Sequence, residues 1–159
     1  DFRRIGLMRN PTNFGTTTVA TASTRRQIYA AVFSSVSGTF AADEEINQAS
    51  TGAVGKVVEY DATNKLLYWY QTRFPDVGTD ANGNATAFSG ANAITGQTSS
   101  ASATPNTSSS TDVNGVSITS GYSNPELAAD SGDIIYVEER SPITRASDQT
   151  ENIKLIIEF

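Results

Sequence analysis

Short runs of alternating apolar and polar residues constrain this chain more than any other feature of its sequence. The clearest two runs, residues 55–60 and 65–71, flank the stretch 61–64, Asp-Ala-Thr-Asn. A period of two places alternate side chains on opposite faces of an extended chain, and Asp and Asn side chains can hydrogen-bond the backbone of a tight turn. The two runs therefore predict a β-hairpin.

Similar runs recur along the chain and predict further strands. They lie at residues 5–7, 26–36, 40–46, 92–96, 134–137 and 153–159. The run 26–36 is apolar on both faces, and so is 134–137. Before the last run, residues 148–151 predict a shaped turn. Several short strands separated by turn residues are typical of a small barrel or sandwich. The predicted fold class is mainly β.

Very little helix is expected. Asn124 and Pro125 have the residue types of a helix N-cap and a first helical position, which predicts one helical turn through Ala129. Residues 76–84 and 99–112 are predicted to be loops. The second loop is rich in Ser and Thr and has no large apolar side chain, so we expect it to be exposed and mobile.

The residue inventory argues against an enzyme. The chain contains no His and no Cys. It therefore lacks the usual proton shuttle near neutral pH, a thiolate nucleophile and the common ligands of zinc, and it cannot form a disulfide. We expect no catalytic residue, no metal site and no cofactor.

The charge balance bears on partners. The formal net charge is −6, and the densest basic points are the pairs Arg3-Arg4 and Arg25-Arg26. Binding to nucleic acid normally requires clustered Lys and Arg, so neither nucleic acid nor an anionic membrane is an expected partner. No apolar run approaches the roughly 20 residues of a membrane-spanning helix. The chain opens at Asp1 without Met or an apolar leader, and we expect a piece of a longer protein or a processed product.

One segment partly matches a calcium-binding loop. With Gly83 at the invariant glycine position, Asp80 and Asn82 fall on ligand positions. The first ligand would then be Gly78 and the bidentate acid would be Ser89, so the template fails where it needs charge. A turn around Asn82-Gly83 is the favoured interpretation.

Two acidic runs could supply paired carboxylates. They are residues 43–45, Asp-Glu-Glu, and the adjacent Glu138 and Glu139. On a strand, Glu138 and Glu139 point to opposite faces, so they cannot act together on one sugar. Surface acids are favoured over a pair of catalytic acids.

The aromatic run Tyr68-Trp69-Tyr70 is the richest in the chain. Alternation sends Tyr68 and Tyr70 to one face of a strand and Trp69 to the other. Packing in a core is the favoured interpretation, and stacking on sugars or anchoring a partner is the alternative.

The last forty residues, together with the opening ones, resemble a known family. The features are Asn124-Pro125-Glu126, the run 131–140, Pro142-Ile143, the stretch 148–151 with its final alternating run, and Phe2–Ile5 with Asn10-Pro11. In their order and spacing they resemble the C-terminal region of the baseplate wedge protein (gene product eight) family of T-even-type contractile-tailed phages.

The resemblance implies a β-rich virion structural protein without catalytic residues. It implies a homodimer that binds other baseplate wedge proteins in the phage tail, assembled in the cytoplasm of the bacterial host. Residues 1–16 and 116–159 would form a β-sandwich-like domain, and residues 17–115 an inserted small barrel or sandwich carrying the loop 99–112.

A host-glycan-binding module on a virion protein is the alternative function, and a glycan depolymerase using carboxylates is a third.

Overall fold

Every regular element in the described part of the chain is a β-strand. The computed structural model describes residues 3–24, 26–71, 77–128 and 131–140. Its strands are β1 (Arg3–Arg9), β2 (Tyr29–Ser37), β3 (Glu45–Gln48), β4 (Ala53–Asp61), β5 (Leu66–Tyr70), β6 (Ile94–Gly96), β7 (Ser102–Pro105), β8 (Tyr122–Ser123) and β9 (Asp133–Arg140). The predicted mainly β class is confirmed. Among these residues no helix could span a membrane.

The chain divides into two compact units. The larger is Pro11–Ser131, and the smaller combines Asp1–Asn10 with Gly132–Phe159. The sequence placed its boundaries after residues 16 and 115 instead. Residues 116–128 contribute a strand and several buried side chains to the larger unit, among them Val116 and Ile118. The predicted turn at 148–151 and strand at 153–159 lie outside the described residues.

The larger unit is built around a closed six-stranded barrel. Its strands follow the order β5, β4, β3, β6, β7 and β2, and β2 then pairs with β5 to close the ring. Strand β2 makes this closure possible because its two halves have different partners. Residues 29–32 pair with β5, whereas residues 33–37 pair with β7. Of the two architectures that the sequence left open for residues 17–115, barrel and sandwich, the structure has the barrel.

Alternation along β2 fills both sides of the barrel wall, as the sequence predicted for this strand. Ala31 and Phe33 belong to the cluster that also contains the buried Trp69. Ala30 and Val32 belong to a second cluster, which includes Leu66 of β5 together with Val116 and Ile118. The segment after β7 that contains Val116 and Ile118 thus covers part of one side of the barrel wall.

The central hairpin forms as predicted. Strands β4 and β5 pair antiparallel, and the Asp61 carboxylate accepts hydrogen bonds from the backbone N–H groups of Thr63 and Asn64 at 3.0 and 3.1 Å. These bonds lock the turn, so the local Asp/Asn signal was sufficient here.

The prediction of an exposed loop over residues 99–112 is wrong for its first half. Residues 102–105 form β7, and Ala101 and Ala103 are buried. A strand inside a barrel wall gains hydrogen bonds from two neighbours, and small side chains fit beside large ones such as Phe33. The entropy argument failed because the rest of the barrel supplies the buried surface.

The predicted helical turn from Asn124 is also wrong over residues 124–128. The N–H groups of Glu126 and Leu127 both donate to the carbonyl of Arg26, at 2.7 and 3.1 Å. Ala128 N–H donates to the carbonyl of Thr12 at 2.9 Å. Pairing with distant segments satisfies the donors that a helix would have used.

The strand predicted at residues 40–46 begins later, at Glu45. Asp43 has a φ of 63°, which interrupts the extended chain just before β3. Phe40 nevertheless reaches the barrel interior, where it is buried against Phe33 and Tyr60.

Gly55 lies against the aromatic core of the barrel, where there is no room for a side chain. A Cβ there would lie 2.8 Å from Trp69 Cδ1 and 3.0 Å from the Tyr70 carbonyl oxygen. We expect Gly55→Ala to lower the free energy of unfolding by about 1–3 kcal/mol, because the ring and the backbone must both move. Urea unfolding followed by the fluorescence of Trp69, the only tryptophan, measures this.

Gly6→Ala is the matched control. Gly6 also lies in a strand, its φ is not in the left-handed region, and no atom lies within 4 Å of the added Cβ. The urea midpoint should stay at the parent value. A Gly55→Ala protein as stable as the parent would contradict the tight packing at Trp69.

Candidate interaction surface

Strands β1 and β9 form an antiparallel ribbon in the smaller unit. Their paired residues are Arg3 with Arg140, Arg4 with Glu139, Ile5 with Glu138, Gly6 with Val137, Leu7 with Tyr136, Met8 with Ile134 and Arg9 with Asp133. The register shifts between Leu7 and Met8, so Ile135 is the extra residue of a bulge.

Both faces of this ribbon carry large apolar side chains. Residues directly opposite each other share a face, and residues two apart on one strand do so as well, except between Ile134 and Tyr136, where the bulge shifts the alternation by one residue. One face therefore has Ile5, Leu7 and Tyr136, and the other has Met8, Ile134 and Val137. These side chains are between 47% and 71% exposed.

Such exposure is unusual for large apolar side chains. It arises because a ribbon of two strands can bury little of its apolar surface by itself. An isolated hairpin is marginally stable in water, and large exposed apolar patches on proteins mark surfaces that contact a partner. The exposed ion pair of Arg9 and Asp133, at 3.4 Å, contributes at most a small part of the ribbon's stability. We therefore regard the two apolar faces as the candidate interaction surface.

The sequence located the strand 134–137 and its two apolar faces, but it missed that they are exposed. A strand with apolar residues on both sides normally lies inside a protein. The sequence signal that indicates this exposure is the short length of the partner run at residues 5–7, because so short a run cannot cover two faces of a strand. Met8 was missed altogether, because it falls outside the alternation of Ile5 and Leu7.

The candidate calcium loop is a turn, as the favoured interpretation had it. The Asp80 carboxylate accepts hydrogen bonds from the N–H groups of Asn82 and Asn84, both at 2.9 Å. Among the described residues no group of three or more acidic side chains could hold a metal ion. These bonds hold the pKa of Asp80 below its ordinary value, those from Asn84 contributing most.

Glu44, the middle acid of the run 43–45, is buried and joins two loops at one end of the barrel. Its Oε1 accepts from the N–H of Ala41 and the hydroxyl of Ser99, both at 2.7 Å. Its Oε2 accepts from the N–H groups of Thr98 and Ser99, at 3.1 and 2.9 Å. A Cβ on Gly96 would lie 2.7 Å from both oxygens, so only glycine fits beside the carboxylate.

This arrangement sets the ionisation of Glu44. Burial alone raises the pKa of the carboxyl, but the donors of Ser99, Ala41 and Thr98 outweigh burial and hold the pKa below its ordinary value. A general acid needs a raised pKa and access to substrate. Glu44 has neither property, so its role is to fix the loops. The sequence interpretation of this run as surface acids is wrong for Glu44.

The adjacent acids Glu138 and Glu139 lie on β9, opposite Ile5 and Arg4 respectively. Neighbouring residues on a strand face opposite sides, so the two carboxylates do not converge. The Tyr136 hydroxyl donates to Glu138 at 3.1 Å, along the ribbon face. The prediction that this pair cannot act jointly on one sugar agrees with this register.

The aromatic run packs as the favoured interpretation predicted. Trp69 is 1% exposed, stacks on Tyr29 and meets Phe88 edge-on. Tyr68 is half-buried against the second cluster on the other side of the wall, and Tyr70 is exposed. Trp69 is therefore unavailable to stack on a sugar.

The comparison with known protein families gives one match. The family model described as bacteriophage T4, Gp8 matches residues 70–159. The match begins at the last residue of β5 and continues through β6, β7, β8 and β9. The matched range is more than half of the chain. It extends beyond the C-terminal segments on which the sequence resemblance rested and includes part of the barrel, whereas the opening residues of that resemblance lie outside the match. No curated protein and no solved structure matches the chain.

Glu44→Gln tests the role of the buried carboxylate. In either orientation of the amide, its NH₂ group would face N–H donors that now have an acceptor. We expect the free energy of unfolding to fall by about 1–3 kcal/mol. Urea unfolding with Trp69 fluorescence measures it. Glu45→Gln, at an exposed neighbouring position of β3, should change it by less than about 0.5 kcal/mol.

The same carboxylate predicts a dependence on pH. Because the pKa of Glu44 is lowered in the folded state, the unfolded chain binds its proton first as the pH falls. The contribution is complete above the unfolded pKa of about 4.3 and is lost as the pH falls through the folded pKa. The stability difference between the parent and Glu44→Gln should therefore narrow below about pH 4.3. A difference that widened on acidification would contradict the assignment.

Proposed function

The chain belongs to the bacteriophage T4 Gp8 family, a family of phage baseplate structural proteins, and we propose that it is a subunit of the contractile-tail baseplate wedge that works by binding neighbouring subunits. The observation that carries the binding role is the ribbon with two exposed apolar faces. A structural subunit needs surfaces that become buried only on assembly, and this ribbon has the composition of such a surface.

The proposed partners are other baseplate wedge proteins and a second copy of this chain. Each face of the ribbon can pack against a different element, because the residues of β1 and β9 project to both sides. The acidic balance of the chain, −6, favours protein partners over nucleic acid or an anionic membrane. The proposed location is the virion tail, with assembly in the cytoplasm of the bacterial host.

We propose a division of labour between the two units. The smaller unit, a part of the wedge-protein domain, carries the apolar ribbon. The larger unit is the inserted barrel module. Trp69 packs in its core, and Glu44 fixes two of its loops. The insertion predicted at 17–115 would then extend to the bounds of the larger unit, 11–131.

We also propose that the chain has no catalytic activity. The best-placed acid, Glu44, accepts four hydrogen bonds from the protein itself, which leaves it no part in a reaction. Trp69 is in the core and gives a glycan-binding role no support, and only Tyr70 of the aromatic run is exposed.

Replacing ribbon side chains with polar ones of similar shape tests the assembly role. The double change Ile134→Thr and Val137→Thr alters one face of β9 while keeping β-branched side chains. We expect incorporation into baseplates to fall by roughly tenfold or more, because two hydroxyl groups would be buried in the contact. Quantifying the protein in purified tails from a complemented deletion phage measures this.

Val58→Thr is the matched control. Val58 is 42% exposed on β4 in the larger unit, outside the ribbon. It should leave incorporation at the parent level, and urea unfolding should show that all three proteins stay folded. Normal incorporation of the ribbon variant would remove this face from the assembly surface. Infectious tails that lack the protein would contradict the structural role itself.

A further inference from the structure

Strands β1 and β9 end in the geometry of a two-residue hairpin turn that has been opened. Their last pair is Arg9 with Asp133. Asn10 follows Arg9 with a φ of 51°, and Gly132 precedes Asp133 with a φ of 93°. A type I′ turn requires positive φ at both central residues, and Asn-Gly is its preferred sequence.

The chain contains an intact turn of this kind for comparison. Val113 and Val116 exchange two backbone hydrogen bonds of 2.9 Å around Asn114-Gly115. Asn114 has a φ of 50° and Gly115 a φ of 76°. Asn10 and Gly132 therefore have the residue types and the φ signs of a turn that this chain forms elsewhere, although they are far apart in sequence.

Glycine at position 132 is required by its surroundings as well. A Cβ there would lie 2.7 Å from the Arg9 carbonyl oxygen and 3.0 Å from Met8 Cγ. Gly132 thus lies close against the end of β1, where the second residue of a tight turn would lie.

The two ends of the larger unit are held together by its own bonds. Thr12 N–H donates to the Ser131 hydroxyl at 3.0 Å, and Ala128 N–H donates to the Thr12 carbonyl at 2.9 Å. Phe14 N–H donates to the Glu126 carbonyl at 2.8 Å. Further in, the Arg26 guanidinium donates to the Ser123 hydroxyl and the Asn124 carbonyl, both at 2.7 Å. The unit therefore begins and ends at adjacent points.

From these two independent observations we infer that Pro11–Ser131 is a cassette inserted into the turn of a β-hairpin, in place of the single peptide bond that would join Asn10 to Gly132. The hairpin β1–β9 is complete in its register without the cassette, and the cassette closes its own ends. Under the proposed function, on which this consequence rests, the apolar ribbon and the barrel can vary separately.

The first test uses the full chain, with and without short Gly-Ser linkers at both junctions, Asn10/Pro11 and Ser131/Gly132. The parent has no Cys, so a designed pair reports the register without interference. Ile5→Cys with Glu138→Cys places two thiols on directly opposed residues, whereas Ile5→Cys with Tyr136→Cys is shifted by two. In a redox buffer, we expect the matched disulfide to be favoured by about tenfold or more over the shifted one, in the full chain with and without the junction linkers.

A second measurement follows the stability of the full chain with the same short Gly-Ser linkers at both junctions. They should leave the urea midpoint reported by Trp69 unchanged, because the barrel unit closes its own ends. The same linker between Asn124 and Pro125 is the matched control and should lower the midpoint, since it separates the residues that pair with Arg26.

Equal formation of matched and shifted disulfides in the full chain with the junction linkers would overturn the inference. A midpoint lowered by the junction linkers as much as by the control would overturn it too. Neither readout involves a baseplate partner. Failure here leaves the proposed function intact, and failure to enter baseplates leaves the cassette intact.

Discussion

The pairing of β2 with β5 is the contact on which the larger unit depends. Without it the strands would form an open sheet with two edges, and the apolar side chains of Ala31, Phe33 and Trp69 would face water. Closing the ring satisfies the backbone groups of both edges and encloses the core. The closure also explains why residues as small as Ala101 and Ala103 belong to the core, since the opposite wall supplies the volume.

Buried polar groups then fix the ends of the barrel. Glu44 holds two loops at one end through four donors. Gln48, also buried, accepts from the N–H of Ser89 and donates to the carbonyl of Asn92 and the hydroxyl of Tyr122. A buried polar group is costly unless every partner is in place, so such networks favour one arrangement of the loops over others. The buried side chains of Glu44 and Gln48 thus stabilise the conformation of the loops.

The smaller unit presents the opposite physical situation. Its ribbon leaves apolar side chains such as Leu7, Ile134 and Val137 in water on both faces. In the barrel the same kind of strand is covered by its neighbours, as Ala30 and Val32 are by Val116 and Ile118. A chain that covers one set of strands and exposes another has the distribution of apolar surface that the proposed assembly role requires. The chain belongs to the Gp8 family of phage baseplate structural proteins, and the family match covers strands of both units.

The sequence by itself determined the extended conformation of most elements and the turn at 61–64, because alternation and Asp/Asn turn chemistry act between near neighbours in the chain. It also made an ordinary His- or Cys-dependent active site impossible. Only the tertiary structure decided that residues 102–105 form a strand and that residues 124–128 pair with distant segments, since those hydrogen bonds come from residues far away in sequence. It alone decided which apolar faces are covered. The run 134–137 has the sequence pattern of a buried strand. No residue within it indicates whether another element will cover either of its faces.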